Sequence, residues 1–151
     1  MAEATPDLSD GEYRRLLEFR TGLRRFLQWS EEAASAIGVT PAQHQLLLAV
    51  RGHDDRRGPT IGELAGHLLL RHHSTVELVD RAVTAGLVER VPDAGDARVV
   101  HVRITPDGAS RLSELSAAHL QELDRLVPRM AQLWEGLQPA APTRNSRPEG
   151  G

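Results

Sequence analysis

Residues 60–105 are the stretch that most constrains the fold, because two helical patterns there are followed at once by two strand patterns. Apolar side chains recur at steps of three and four over residues 61–68, which predicts a short helix with one buried face. A second amphipathic helix is predicted to begin near His72 and to end at Gly86. The segments LVERV and RVVHVRI are β-rich and flank a polar tip, so they predict a hairpin. This order of elements is that of a winged helix-turn-helix, whose second helix enters the major groove of DNA.

A long helix is predicted before this module. Ser9 and Glu12 have the spacing of a capping box, and the helix that follows should run to Gly38, where a left-handed residue is tolerated. Thr40 and Pro41 repeat the start signal with a capping hydroxyl and a proline at the first helical position. The sequence therefore predicts a second, shorter helix in front of the module.

Another long helix is predicted after the module, from Thr105-Pro106, with a kink or break at Pro128. Positions at steps of four and three along it resemble the seam of a coiled coil: Leu112, Ser116, His119, Leu123, Leu126, Met130, Leu133 and Leu137. The first helix also carries more apolar surface than one neighbour would cover. We therefore expect the two terminal helices to form a two-fold homodimer.

These patterns predict one domain over residues 10–137, mainly α with a small β-hairpin wing (α+β). Within it, residues 40–105 form the winged-helix DNA-binding module, and residues 10–38 and 106–137 form the dimerisation helices. Residues 1–9 and the Pro- and Gly-rich segment 138–151 are expected to be disordered.

Composition excludes several classes of function. The chain has no cysteine, which rules out disulfides, thiolate zinc sites and thiol-based redox sensing. No apolar run approaches the ~20 residues needed to cross a bilayer, and the first residues lack the pattern of a signal peptide, so a cytoplasmic protein without a membrane partner is expected. The net charge of −3 argues against indiscriminate nucleic-acid binding. No motif of an enzyme is present, and no cofactor is predicted.

Several short motifs of this chain, in a fixed order, resemble those of a known protein family. They are Thr40-Pro41-x-Gln43, Gly62-Glu63-Leu64-Ala65, Leu78-Val79-Asp80-Arg81, Gly86-Leu87-Val88-Glu89-Arg90, Asp96-x-Arg98 and Ile104-Thr105-x-x-Gly108. In this spacing they resemble the MarR-type winged-helix transcriptional regulators over roughly residues 10–137. The resemblance implies a homodimer, more often a repressor than an activator, that binds a pseudo-palindromic operator. It also implies a wing arginine in the minor groove and a small ligand between the dimerisation helices and the DNA module.

Two positions depart from the family pattern. The wing of such proteins usually reads Asp-Arg-Arg, and Ala97 here removes one phosphate contact. Family members often carry a polar or basic residue where this chain has Glu77. The usual scheme of base contacts therefore does not transfer whole.

Candidate DNA-binding residues crowd the start and outer face of the second helix of the module: Arg71, His72, His73, Ser74 and Glu77. Arginine, histidine and serine suit phosphates or base edges, and a glutamate can accept from a cytosine amino group. A surface with no role and a metal site are the alternatives for the two histidines. Adjacent helical residues diverge by about 100°, so the two rings are poorly placed to chelate one ion.

Arg98 is the candidate for the minor groove, because a flexible guanidinium beside the Gly95 tip suits a narrow, electronegative groove. Its alternatives are a solvated charge and an ion pair with Asp96. Asp96 is predicted to support the wing, either by orienting Arg98 or by pairing with Arg81.

A candidate effector pocket combines Trp29 of the first helix, His44 of the second and His119 of the last. His119 lies in the otherwise apolar seam, where a pocket group, a pH-sensitive interface residue, a metal ligand and a hydrogen-bonded residue at the edge of the core are all compatible with the pattern. The last of these also fits His44, His53 and His101.

The sequence thus predicts a homodimeric, sequence-specific DNA-binding transcriptional regulator that is released from DNA by a small-molecule ligand. Seven histidines without cysteine leave a metal-responsive regulator as an alternative. A third hypothesis is a protein-interaction module that does not read DNA, because residues 51–103 hold eight Arg against eight Asp or Glu.

Overall fold

The computed structural model describes residues 7–137. Five helices and two strands follow one another in the predicted order: α1 (Asp10–Ala36), α2 (Pro41–Arg51), α3 (Ile61–Leu68), α4 (His72–Thr84), β1 (Val88–Pro92), β2 (Val100–Ile104) and α5 (Pro106–Glu135). The predicted fold class, mainly helical with a two-stranded wing, is confirmed. Apart from residues 7–9, the segments predicted to be disordered lie outside the described residues.

Side-chain caps fix where the helices begin. The side chains of Ser9, Thr40 and Thr60 each accept a hydrogen bond from the backbone N–H three residues further along the chain. The side chain of that later residue in turn accepts a hydrogen bond from the backbone N–H of the capping residue. Thr105 caps α5 by accepting a hydrogen bond from the Gly108 N–H. These bonds satisfy amide groups that have no partner within the helix. The capping box predicted at Ser9 and the capping hydroxyl predicted at Thr40 are confirmed.

The core lies inside the winged-helix module. Leu46 and Leu47 of α2, Leu64 of α3, Val79 of α4 and Val102 of β2 are all inaccessible to solvent. The end of α1 and the first turns of α5 close this core. Burial on that scale makes the module, rather than the long helices, the rigid part of the chain.

Helices α1 and α5 pack along each other below the core. Leu126, Met130 and Leu133 of the predicted seam line a cleft against α1, so these three positions pack on a helix of the same chain. Of the kink or break predicted at Pro128, the break is not observed, because α5 runs unbroken from Pro106 to Glu135. Contacts with α1 on both sides of Pro128 hold the helix together where one backbone bond is missing.

The hairpin is antiparallel, with Val88 opposite Ile104 and Pro92 opposite Val100. Simple alternation along β2 is not observed, since His101 and Val102 are both buried. The loop between α2 and α3 pairs with the edge of β2 that β1 leaves free: the Val102 N–H donates to the Pro59 carbonyl over 2.9 Å, and Thr60 forms a bridge with His101. The loop thereby covers β2 near its middle, where the His101 ring bonds the Gly58 carbonyl.

Candidate nucleic-acid interface

Helix α4 is anchored by one face and open on the other. Thr75, Leu78, Val79 and Ala82 are buried, and the Thr75 hydroxyl donates to the Arg71 carbonyl over 3.0 Å. The predicted buried face is confirmed except for Val83, which is 37% exposed because it lies at the helix end beyond the neighbouring elements. An amphipathic helix held in this way leaves its polar face for a partner.

The candidate DNA-binding residues of α4 lie together on this open side. Arg71 precedes the helix without using its side chain as a cap, so its guanidinium is left for other contacts. His72, His73 and Glu77 are exposed, and Ser74 is half-buried at the first turn. Helix N-termini with free amide groups and nearby cations favour phosphate binding.

An ion pair that the sequence did not reveal ties α4 to the wing. The Arg90 guanidinium on β1 donates to the Asp80 carboxylate on α4 over 2.5 Å. This pairing neutralises one of the two carboxylates on the outer face of α4, and Glu77 is the other. Ten residues separate Asp80 from Arg90, and no local pattern signals such a contact.

The wing tip presents Arg98 to solvent while holding it in place. The side chain is 90% exposed, and its Nε and Nη2 donate to the two carboxylate oxygens of Asp96, each over 3.1 Å. The Arg98 guanidinium holds the pKa of Asp96 below its usual value. Of the two predicted partners of Asp96, the structure shows Arg98; Arg81 makes no bond to Asp96 anywhere in residues 7–137 and projects from α4 as an exposed side chain.

The wing tip is organised by Asp93, which the sequence analysis did not single out. Its Oδ2 accepts from the backbone N–H groups of Gly95 and Asp96, over 2.9 and 3.1 Å. Its Oδ1 lies 2.8 Å from Nε2 of His101, and that imidazole reaches the Gly58 carbonyl with Nδ1, also over 2.8 Å. The bond to Asp93 raises the pKa of His101, and the bond to His101 lowers the pKa of Asp93. An aspartate two residues before a glycine is a turn signal that could have identified this residue.

The residues of the predicted effector pocket do come together. The ring centroid of His119 lies 4.8 Å from those of both Trp29 and His44. Its Nδ1 donates to the Leu115 carbonyl over 2.6 Å, and its Nε2 lies 2.6 Å from the Ser30 hydroxyl, within hydrogen-bond distance. Burial, and then the neighbouring His119, lower the pKa of His44. His119 is therefore fully hydrogen-bonded at the edge of the core, as one of the four readings of the sequence proposed.

The cavity near this cluster lies between α1 and α5 and has a volume of about 570 Å³. Trp29 borders it, whereas His44 and His119 do not. Its wall is apolar, with Phe26, Leu126 and Met130, and charged side chains stand at its rim. The predicted pocket is thus displaced along α1 from the two histidines.

Residues 7–137 contain no group of three His, Cys, Asp or Glu side chains arranged to hold a metal ion. None of the helices in that range combines the length and the apolar character needed to cross a membrane.

A protein-family model and a sequence relative each match part of this chain. The model of the MarR family matches residues 37–99. These residues include α2, α3, α4 and β1, so the winged-helix module is similar to that family. The uncharacterized HTH-type transcriptional regulator YsmB of Bacillus subtilis (strain 168) is 43% identical over 56 residues, which are 37% of this chain and 38% of that protein.

Solved structures extend the likeness to the whole fold. This chain is similar in structure to AbsC, a MarR family transcriptional regulator from Streptomyces coelicolor, with a TM-score of 0.69 at 18% identity. The match covers 89% of this chain and 95% of the AbsC chain. A mutant MarR from E. coli complexed with operator DNA superposes with a TM-score of 0.62 at 24% identity, covering 89% and 100%. At these identities the match shows the fold alone, in which the long helices flank the winged-helix module.

Proposed function

We propose that this protein is a homodimeric transcriptional regulator that binds a pseudo-palindromic operator and acts as a repressor released by a small-molecule ligand. The observation that carries the DNA-binding part is the wing arginine. Arg98 is held by Asp96 at the wing tip and remains 90% exposed, and the outer face of α4 is open as well. A pre-oriented guanidinium on the wing and an unobstructed helix in the same module suit contact with the minor and the major groove. A MarR protein of the same fold has been solved with operator DNA, which supports this use of the module.

Local charge favours this reading despite the net charge of −3. Asp80 and Asp96 are each neutralised by an arginine, so Glu77 is the carboxylate of the α4 face without such a partner in the described structure. Glu77 is then placed to accept from a cytosine amino group and to repel a phosphate.

The proposed dimer uses the apolar side chains that α1 and α5 leave open. Leu120 and Val127, which are 68% and 54% exposed, lie seven residues apart on one face of α5, with Leu123 between them. Tyr13 and Leu17 of α1 are 55% and 66% exposed. Large apolar side chains repeated along one helix face indicate a protein contact, and a second copy of the chain is the proposed partner.

The effector is proposed to occupy the cavity between α1 and α5. The cavity has the volume of sites that hold small organic molecules and an aromatic wall at Phe26 and Trp29. An aromatic or otherwise apolar ligand fits this lining. Binding there would alter the packing of α1 on α5 and, through it, the spacing of the two reading helices in the dimer.

The test is DNA binding by the full-length protein. Duplexes of about 20 base pairs are enriched from a random pool and compared with shuffled duplexes at fixed salt; we expect at least about a thousandfold preference. Arg98→Ala should weaken specific binding by roughly 5- to 150-fold, which corresponds to about 1–3 kcal/mol. Arg14→Ala on α1 removes the same charge outside the module and should change affinity little. Equal affinity for enriched and shuffled duplexes would contradict the proposal.

The dimer and effector parts have separate tests. Leu120→Glu and Val127→Glu should each yield a monomer in sedimentation experiments and weaken operator binding; a variant that remains dimeric would remove this face of α5 from the interface. For the effector, aromatic molecules are screened for release of DNA, and Trp29→Phe should abolish the quenching of tryptophan emission by an active compound. Quenching that persists unchanged in Trp29→Phe would place the ligand elsewhere.

A further inference from the structure

The wing is joined to the loop between α2 and α3 through one buried side chain. His101 of β2 is 5% exposed and spans the gap between Gly58 and Asp93. The Gly58 carbonyl can only accept, so Nδ1 of His101 carries a proton and donates to it. The other ring nitrogen, Nε2, faces the Asp93 carboxylate at 2.8 Å.

From Asp93 the hydrogen bonds continue to the DNA-facing tip. The same carboxylate accepts from the Gly95 and Asp96 amides, which sets the turn of the wing. The Asp96 carboxylate then accepts from the backbone and the guanidinium of Arg98. An unbroken path of hydrogen bonds therefore runs from Gly58 through His101, Asp93 and Asp96 to Arg98, and we call it the wing relay.

The wing relay is complete only when His101 is doubly protonated. Both of its neighbours are acceptors, and a neutral imidazole has a single N–H to donate. If that proton stays on Nδ1, the lone pair of Nε2 faces the carboxylate of Asp93 and repels it. Deprotonation therefore weakens the contact that holds the turn of the wing on the loop.

Charged groups of the loop and of α3 bear on this proton. In the loop, Arg57 lies 3.4 Å from Asp93 and opposes protonation of His101, but Asp55 binds that guanidinium and offsets it. From α3, the Glu63 carboxylate also acts on Arg57 and is itself paired with His53. The Asp93 carboxylate is the nearest charge and dominates, so the pKa of His101 is raised.

We propose that His101 and Asp93 are positioning residues for Arg98, and that protonation of His101 strengthens binding to DNA. The proposal rests on the DNA-binding function proposed above. Binding of DNA and protonation of His101 promote each other. The negative phosphates stabilise the positive charge of the imidazolium ring, and the protonated ring holds the turn of the wing in place through Asp93. Operator affinity should consequently fall as the pH rises through the pKa of His101, which lies above 6.5.

The experiment compares the wild-type protein with His101→Gln from pH 6 to pH 9 at constant ionic strength, using the enriched duplex. Because His72 and His73 lie on the proposed DNA-binding face of α4, the informative quantity is the ratio of the two dissociation constants at each pH. We expect His101→Gln to bind about 3- to 10-fold more weakly at pH 6, a loss on the scale of one hydrogen bond, and equally well at pH 9. A ratio that does not vary with pH would overturn the proposal.

Two further variants separate positioning from a merely structural role. In an Arg98→Ala background the ratio of dissociation constants with and without His101→Gln should be near 1 at every pH, because the relay no longer ends in an arginine that contacts DNA. A ratio that still differs from 1 at pH 6 in this background would also overturn the proposal. Asp93→Asn retains an acceptor for the turn amides and can donate to neutral His101. It should therefore abolish the pH dependence attributed to His101 without preventing folding.

A measurement without DNA keeps this inference distinct from the proposed function. In an NMR titration of the free protein, the amide signals of Gly95, Asp96 and Arg98 should move with the same pKa as the His101 ring, and should not do so in His101→Gln. If these amides do not follow the ring, the relay is refuted even where DNA binding is specific. If no duplex is preferred at any pH, the proposed function fails while the titration still decides the relay.

Discussion

Replacing Gly58 by alanine tests the joint between the loop and the wing most directly. Gly58 has a φ of +91°, and a Cβ added there would lie 2.2 Å from the carbonyl oxygen of Val102. Neither the conformation nor the contact tolerates a side chain, because the neighbouring atom belongs to the backbone of β2. The loop must therefore move away from the strand to accept the methyl group.

The expected loss of stability follows from what that movement breaks. A positive φ costs a non-glycine residue about 1–2 kcal/mol. Separation of loop and strand also weakens the bonds from Val102 to Pro59 and from His101 to Gly58, each contributing about 0.5–1.5 kcal/mol. Gly58→Ala should therefore lower the free energy of unfolding by about 2–5 kcal/mol.

Two other glycines supply matched controls. At Gly86, φ is +75° but no atom lies within 4 Å of an added Cβ, so Gly86→Ala should cost only the strain, about 1–2 kcal/mol. Gly66 lies inside α3 with open space around it, and Gly66→Ala should stabilise by about 0.5–1 kcal/mol. Urea denaturation measures all three. If Gly58→Ala costs no more than Gly86→Ala, the contact between loop and strand does not stabilise the protein and the reasoning is wrong.

Four further predictions use the same denaturation assay. Leu69 is 92% exposed with a φ of 54°, so Leu69→Gly should raise the free energy of unfolding by up to about 1 kcal/mol, and a loss would show that its side chain contributes to packing. Leu64→Ala removes a fully buried side chain and should cost about 2–5 kcal/mol; a cost below 1 would mean that α3 is not part of the core. Arg98→Ala should change stability by less than about 1 kcal/mol, because its ion pair is exposed, and a larger loss would make Arg98 a structural residue. The raised pKa of His101 contributes to the free energy of unfolding an amount that is fully present below pH 6.5 and is lost as the pH rises through the folded-state pKa. The lowered pKa of Asp93 contributes an amount that is present above pH 3.8 and is lost on acidification. The stability advantage of wild type over His101→Gln should therefore shrink from pH 6.5 to pH 9, and an advantage that grows would contradict the assigned proton positions.

Features encoded in a few neighbouring residues could be predicted from the sequence. The capping boxes at Ser9, Thr40 and Thr60 join a side chain to a backbone amide three residues away, so the spacing alone specifies the contact. The open face of α4 and the bond between Asp96 and Arg98 are local for the same reason. Only the choice between Arg98 and Arg81 as the partner of Asp96 needed the structure.

Contacts between distant segments escaped the sequence analysis. His101 was predicted to be a hydrogen-bonded residue at the edge of the core, but its partner Gly58 lies 43 residues away in the chain, so no local pattern identifies that contact. Leu126, Met130 and Leu133 of the predicted seam line a cleft against α1, and periodicity shows that a face is covered without identifying what covers it. Pro128 predicts a kink or break, and the structure shows no break because packing on α1 maintains the helix around it.

The sequence by itself determined the order of the elements, their ends and the winged-helix module, since periodicity and capping act over one or two helical turns. Only the tertiary structure decided which side chains meet across the fold. It seated Trp29, His44 and His119 together, paired Asp80 with Arg90, and linked Gly58 to Arg98 through a buried histidine. Those contacts depend on how separate elements dock, and docking is set by the shape of the whole core rather than by any stretch of residues.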